Sequence, residues 1–235
     1  MKCPSKKWSL VVCSFLMLVN AARSAQANSS DEDKMLGDAR VASEESSSSL
    51  RVMEPRALAK GEAQRIGGRL IVTLRSGKTK VYSDRLACSR PAEETKCIRY
   101  SLVVHAKTRS SYIIAKQYYE GLEAIVVNEV SGVETIVRGI PSYSSDGRSL
   151  VVFLENDPEV GFAVEVWQKN GDRFAKVWTG SPNSDGIYVS YRLIRWISED
   201  AFLIETKTKY GGKKPDALQE VLIVRDASGW KIAPR

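Results

Sequence analysis

The chain has 235 residues, with 35 Lys or Arg against 28 Asp or Glu, which gives a formal net charge of +7. Four of the basic residues and none of the acidic ones lie in residues 1–27, so the remainder carries +3. This modest excess gives no reason to expect a nucleic-acid partner, and a single histidine argues against a histidine-based zinc centre.

Residues 1–27 have the three parts of a secretory signal peptide. Three lysines form a basic start, an apolar run extends from Leu10 to Val19, and Ala25-Gln26-Ala27 provides small residues for signal peptidase. The apolar run is too short for a bilayer-spanning helix, which needs about 20 residues. We therefore predict cleavage near Ala27, a periplasmic or secreted protein, and no transmembrane span.

Two of the four cysteines lie in the predicted signal peptide, which leaves Cys88 and Cys97. An even pair in an exported chain predicts one disulfide bond. Eight residues separate the two sulfurs, whereas a redox pair usually has two between them and a metal site needs four ligands. The pair therefore predicts a structural bridge.

Residues 28–64 have a composition unlike the rest of the chain. Residues 28–49 contain six acidic and two basic residues and the run Ser46–Ser49, and such a segment buries too little apolar surface to offset the entropy of ordering it. Residues 50–64 contain helix-forming residues, but Pro55 interrupts them. We expect a flexible acidic, Ser-rich leader at 28–64, with one short helix or none, followed by a folded domain at 65–235.

From about residue 66, short runs of β-branched and aromatic residues alternate with turn pairs. The clearest pair is Asn170-Gly171, which tolerates the positive φ of a tight hairpin turn and joins Phe162–Trp167 to Arg173–Trp178. The run Leu150–Leu154 is apolar on both faces, as in a strand covered on two sides. These patterns predict an all-β domain, an antiparallel meander of about a dozen strands.

In the segment Pro141–Val152, a proline, an aromatic residue, serines, Asp-Gly and an arginine lead into an apolar strand. This segment resembles the blade opening of bacterial periplasmic β-propellers of the TolB and WD40-like type. The resemblance implies a propeller-like fold in which a tight polar turn leads into a buried inner strand. A β-sandwich or a partly open barrel is the alternative architecture.

The residues that could perform catalysis have little supporting context. His105 lies in the apolar run Leu102–Ala106 and no Gly-x-Ser-x-Gly elbow is present, so we expect a structural histidine. We predict no catalytic residue, no metal site and no cofactor. The alternative function is a carbohydrate-acting hydrolase that uses two loop carboxylates, with the candidates Glu155, Asp157, Glu159, Glu199 and Asp200.

Two features suit a binding surface, namely a set of aromatic side chains and a basic hairpin tip. Aromatic planes recognise peptides or sugars, although most such residues form cross-strand core pairs, and lysines at a hairpin tip also discourage aggregation. We therefore predict a non-enzymatic binding module whose partner is a protein or a cell-envelope polymer. The candidate binding residues are Tyr118, Tyr119, Tyr188, Tyr191, Trp196, Lys209, Lys213 and Lys214.

Expression of the full chain in a secreting bacterial host should give a mature protein that begins near Asn28, because signal peptidase cleaves after small residues such as Ala27. Cell fractionation followed by N-terminal sequencing measures this. A finished protein that still contains residues 1–27 would contradict the predicted signal peptide.

Overall fold

The computed structural model describes residues 31–42, 49–59, 61, 63–85, 97–118, 121–157, 161–182, 188–210 and 217–234. The side chains of residues 49 and 155–157 are outside this description. Two α-helices precede the strands, α1 over residues 31–42 and α2 at Ser49–Leu58. Among the described residues, neither helix has the length and apolar character needed to cross a bilayer.

The strands form four separate antiparallel sheets, and in each sheet the strand order follows the chain. Sheet 1 contains β1 (Ala63–Ile66), β2 (Arg69–Thr73) and β3 (Thr79–Ser83). Sheet 2 contains β4 (Ile98–Ala106), β5 (Ser111–Tyr118), β6 (Gly121–Asn128) and β7 (Glu134–Val137), with the 3-10 turn Lys107–Arg109 between β4 and β5. Sheet 3 contains β8 (Ser142–Tyr143), β9 (Ser149–Asp157), β10 (Gly161–Asn170) and β11 (Arg173–Gly180). Sheet 4 contains β12 (Tyr188–Ser198), β13 (Ala201–Lys209), β14 (Ala217–Asp226) and β15 (Gly229–Ile232).

The local patterns place the hairpins correctly, and the prediction of an all-β domain built as an antiparallel meander is confirmed. Asn170 pairs with Arg173 across the turn, and Gly171 has the positive φ of +61° that this turn requires. In β9, Leu150, Val151 and Val152 are fully buried, as predicted for a strand covered on both faces.

Each sheet packs against the next sheet in the chain. The rings of Tyr82 in sheet 1 and Tyr100 in sheet 2 are 5.5 Å apart. The Phe174 N–H of sheet 3 donates to Thr135 Oγ1 of sheet 2 at 2.9 Å. Sheets 3 and 4 meet through aromatic and aliphatic side chains that include Val166, Tyr191 and Phe202. The apolar core therefore extends through the whole series of sheets.

The turn within Pro141–Val152 has the tight polar geometry expected of it. Asp146 Oδ1 accepts hydrogen bonds from Ser144 Oγ at 2.6 Å and from the Arg148 N–H at 3.0 Å, and Gly147 has a φ of +69°. The turn joins β8 to the buried strand β9. The geometry of one turn does not test the resemblance to a propeller blade, which stays a prediction.

Residues 31–42 differ from the flexible leader predicted at 28–64, because they are helical, whereas α2 is the one short helix that the prediction allowed. Helix α1 buries Met35, Leu36, Ala39 and Ala42 in the core that sheets 1–3 share. These four positions recur at helical spacing, so they lie on one face despite the polar composition of the segment. The segment gains enough apolar burial to offset its ordering, and the expectation of a flexible leader is wrong for these residues.

Helix α2 runs through Pro55, although a proline in a helix interior removes one backbone hydrogen bond. The side chain of Glu54 is 3 % exposed and accepts two hydrogen bonds from Arg65, at 2.6 and 2.7 Å. Its Oε1 also accepts from the Leu102 N–H of sheet 2 at 2.8 Å. Arg51 and Arg65 both pair with the buried Asp84. Two carboxylates and two guanidinium groups therefore fasten α2 to sheets 1 and 2.

Outside the described residues lie the signal peptide predicted at 1–27, Cys88, Tyr119, Glu159 and the segment between β13 and β14 that contains Lys213 and Lys214. Cys97 is half-buried directly before β4, and the Cys88–Cys97 bridge stays a prediction.

Replacement of Glu54 by glutamine should lower the free energy of unfolding by about 3 kcal/mol, because it removes the nearer of the two buried carboxylates that pair with Arg65. Urea denaturation measures this. The control is Glu123→Gln, which breaks the half-exposed pair with Lys116 and should cost less than about 1 kcal/mol. Equal losses in the free energy of unfolding would show that the Glu54 contacts contribute no more to stability than the Glu123–Lys116 pair does.

Candidate functional site

A groove of about 280 Å³ lies where helix α1 meets sheets 3 and 4. We call it the α1 groove. It combines a few polar groups with apolar and aromatic walls, as small-molecule sites usually do. Its lining residues are Asp33, Leu36, Gly37 and Arg40 from α1, Ser142 and Tyr143 from β8, and Leu193, Ile194, Arg195 and Trp196 from β12.

An ion-pair cluster around Arg109 fixes α1 at this position. The side chains of Arg109 and Glu32 are 3 % and 2 % exposed, and Arg109 Nη1 donates to Glu32 Oε2 at 3.2 Å. Arg109 Nη2 lies 2.9 Å from Asp33 Oδ1. Thr108 donates to both oxygens of Glu32, from its hydroxyl at 2.5 Å and from its N–H at 3.3 Å. The start of α1 is therefore bound to the turn between β4 and β5.

The same guanidinium group connects α1 to sheet 3 through Tyr143. The Arg109 guanidinium carbon lies 5.0 Å from the centre of the Tyr143 ring, and the Tyr143 hydroxyl is 2.6 Å from Ser111 Oγ. Burial raises the pKa of Tyr143 well above its usual range, so the hydroxyl stays protonated. The floor of the groove is therefore a neutral, fixed aromatic ring.

Four consecutive residues of β12, from Leu193 to Trp196, line the groove where the strand has a bulge. The β12–β13 register shifts between Leu193 and Arg195, which leaves Ile194 as the extra residue. In a regular strand, neighbouring side chains point to opposite faces, so only alternate residues would line a groove. Bulges re-aim side chains in this way and are common next to functional sites.

Gly37 lies inside α1 and has no packing reason to be glycine. A Cβ atom placed on Gly37 would have no described heavy atom within 4 Å. Glycine inside a helix costs about 1 kcal/mol relative to alanine. Because Gly37 lines the groove, a larger side chain at this position would occupy part of it. The chain thus has a destabilising residue at a position where its small size keeps the groove open.

Two nitrogen donors at the groove have no partner in the described part of the chain. Trp196 Nε1 is buried and makes no hydrogen bond. Arg195 is exposed and has no ion pair or hydrogen bond there, whereas Arg192 on the same strand pairs with Glu205 at 3.0 Å. The Arg40 guanidinium carbon stands 5.2 Å from the centre of the Phe153 ring. The exposed guanidinium group of Arg195 offers positive charge and hydrogen-bond donors to a ligand.

Of the predicted binding residues, Trp196 is the one that lines the α1 groove. Tyr118, on sheet 2, is 38 % exposed, and Lys116 Nζ lies 5.7 Å from its ring centre. Tyr188, on sheet 4, is 37 % exposed, packs edge-on against Phe162 and has Lys209 Nζ 5.6 Å from its ring centre. These two tyrosines lie on different sheets, and neither of them lines the α1 groove with Trp196.

Of the remaining binding candidates, one is buried although it was predicted to be exposed, and three lie outside the described residues. Tyr191 was a candidate for exposure but is 2 % exposed, and its hydroxyl donates to the Pro182 carbonyl at 3.0 Å. Its position in β12 places it on the face that packs against sheet 3, beside Val189. Tyr119, Lys213 and Lys214 lie outside the described residues.

His105 is buried and stacks on the Tyr112 ring at 4.2 Å between centres. Its Nε2 lies 3.6 Å from Glu129 Oε1, and Arg75 Nε lies 3.3 Å from the other oxygen of Glu129. These contacts place His105 inside the packing of sheet 2, near the turn of sheet 1. Within the described ranges, no group of three or more His, Cys, Asp or Glu residues forms a candidate metal site.

Two other grooves differ from the α1 groove in their lining. One of about 330 Å³ involves β13, β14 and the C-terminal residues 232–234, and its lining is mostly aliphatic. The other, of about 190 Å³, has a polar lining that includes Asp146, Lys169 and Glu199. The α1 groove alone among these three combines aromatic walls with guanidinium groups.

Comparison with known proteins gives no relative, because no protein-family model, no curated protein and no solved structure matches this chain. The functional argument therefore rests on the geometry of the groove.

Burial raises the pKa of Tyr191 to about 12, whereas an unfolded tyrosine ionises near 10. The unfolded chain thus releases this proton first, and the native state should lose about 1–2 kcal/mol as the pH rises from 10 to 12. Urea denaturation between pH 8 and pH 12 should show a smaller loss for Tyr191→Phe than for the wild type. The control Tyr118→Phe, at a more exposed tyrosine, should behave like the wild type. Equal pH dependence of stability for Tyr191→Phe and wild type would contradict the raised pKa of Tyr191.

Proposed function

We propose that this protein is an exported, non-enzymatic binding module and that the α1 groove is its ligand site. Gly37 is the observation that supports this most directly. It is a costly residue inside a helix, it has open space around it, and it lines the groove. The signal-peptide pattern of residues 1–27 supports export.

The groups that line the groove support binding in preference to proton transfer. Guanidinium and indole groups donate hydrogen bonds and keep their protons at neutral pH. The one carboxylate in the lining, Asp33, pairs with Arg109 at 2.9 Å. Such a set of groups holds and orients a ligand without supplying a free acid and base.

We also propose that the four sheets are blades of a propeller-like fold, with a β-sandwich or partly open barrel as the alternative. Support comes from the strand order, since sheets 2, 3 and 4 are each a four-stranded meander, as propeller blades are. Each sheet packs on the next in chain order, and the turn before β9 leads into a buried strand. In this arrangement, α1 lies where sheets 2, 3 and 4 come together.

The alternative function is a carbohydrate-acting hydrolase. Of its five candidate acids, Glu199 and Asp200 have described side chains, and both lie in the turn between β12 and β13. Asp200 forms an ion pair with Arg225. An ion pair of this kind is usual in a solvent-exposed turn, so it lends the hydrolase no support. Release of soluble sugar from labelled cell-wall material by the mature protein would support it.

Filling the groove should abolish binding without loss of stability. The variant Gly37→Leu places a large apolar side chain in the groove and improves helix propensity, so its melting temperature should equal or exceed that of the wild type. Immobilised mature protein should retain at least one protein or polymer from an envelope extract, and Gly37→Leu should retain about tenfold less of it.

The matched control is Val41→Leu, which introduces the same side chain at an exposed position of the same helix. It should retain the partner as the wild type does. Mass spectrometry and sugar analysis of the eluates provide the comparison. Equal retention by Gly37→Leu and wild type would show that the groove is not the binding site.

A further inference from the structure

The charges around the α1 groove do not balance. Arg195 lines it without an ion-pair partner in the described part of the chain, whereas Asp33 is the one acidic residue in the lining. Asp33 is already paired with Arg109, which is itself buried beside the groove. A ligand in the groove therefore meets an excess of positive charge, and a ligand with a negative charge is electrostatically favoured.

Arg195 is the guanidinium group best placed to take a new partner. It has no ion-pair or hydrogen-bond partner in the described part of the chain, and it is exposed at the groove. Arg192, three residues earlier, already has Glu205 as its partner. The fork of five N–H donors in a guanidinium group matches the two oxygens of a carboxylate.

The walls of the groove require a ligand with an apolar part as well. Leu36, Leu193 and Trp196 line it, and the Tyr143 ring forms its floor. A volume of about 280 Å³ is near the lower limit for small-molecule sites. The part of a ligand that enters the groove must therefore be compact, with one charged end and an aromatic or short aliphatic body.

We propose that the part of the partner that enters the α1 groove is a compact organic carboxylate, an inference that rests on the proposed function. Its carboxylate pairs with Arg195. Its apolar body lies against Leu36, Leu193 and the indole ring of Trp196. Inorganic phosphate has the charge but no apolar body, so it binds weakly or not at all.

Nuclear magnetic resonance of the mature protein, labelled with ¹⁵N, tests this through the indole N–H signals. Residues 28–235 contain four tryptophans, and the variant Trp196→Phe identifies the signal of Trp196. The probes are benzoate and hexanoate, their uncharged counterparts benzamide and hexanamide, and inorganic phosphate. Both carboxylates should shift the Trp196 signal, and the two amides should bind at least about tenfold more weakly.

The variant Arg195→Met, which keeps much of the side-chain length and removes the charge, should weaken carboxylate binding at least about tenfold. The control Arg173→Met removes an exposed arginine at the start of β11, outside the groove, and should leave binding unchanged. Equal affinity for carboxylates and amides, or equal affinity of the Arg195→Met and Arg173→Met variants, would overturn the carboxylate inference but leave groove binding intact.

If none of the probes shifts the Trp196 signal at concentrations up to about 10 mM, the carboxylate inference is also overturned. In that case the retention experiment with Gly37→Leu still decides the proposed function by itself, because it uses envelope material and makes no assumption about charge. Failure of the carboxylate inference can therefore be distinguished from failure of the proposed function.

Discussion

The position of α1, and with it the groove, depends on the buried ion pair between Arg109 and Glu32. Burying two charges costs much of their hydration, and attraction between them offsets this cost only when further hydrogen bonds complete the arrangement. Thr108 supplies two of these bonds to Glu32. The same principle fixes α2 through Glu54 and Arg65. Loss of Glu32 or Glu54 would remove a buried carboxylate that pairs with a buried arginine, so both helices have a strongly preferred position.

The sheets could be predicted from the sequence because their signals are local. A turn such as Asn170-Gly171 and the apolar runs beside it fit within about twenty residues, and they determine the pairing of β10 with β11. The burial of Leu150, Val151 and Val152 likewise follows from an uninterrupted apolar run. Neither observation requires knowledge of a distant residue.

The groove could not be predicted in this way because its parts are distant in the sequence. A local signal for α1 did exist, since Met35, Leu36, Ala39 and Ala42 recur at helical spacing, but the acidic composition around them concealed it. The bulge at Ile194 has no sequence signal, and it alters which residues of β12 face the groove. The sequence therefore identified Trp196 as an aromatic candidate but did not identify the residues that line the groove beside it. Tyr191 was expected to be exposed, whereas its side chain is buried.

Helix α1 precedes every strand, yet its contacts lie far along the chain. Glu32 and Arg109 are 77 positions apart, and the opposite wall of the groove belongs to sheet 4, the last to be synthesised. Long loops of this kind close late, after the sheets that supply their partners have formed. Helix α1 is thus the first of these elements to leave the ribosome and one of the last to reach its final place. A truncated chain that lacks sheet 4 has no complete groove, because one of its walls is missing.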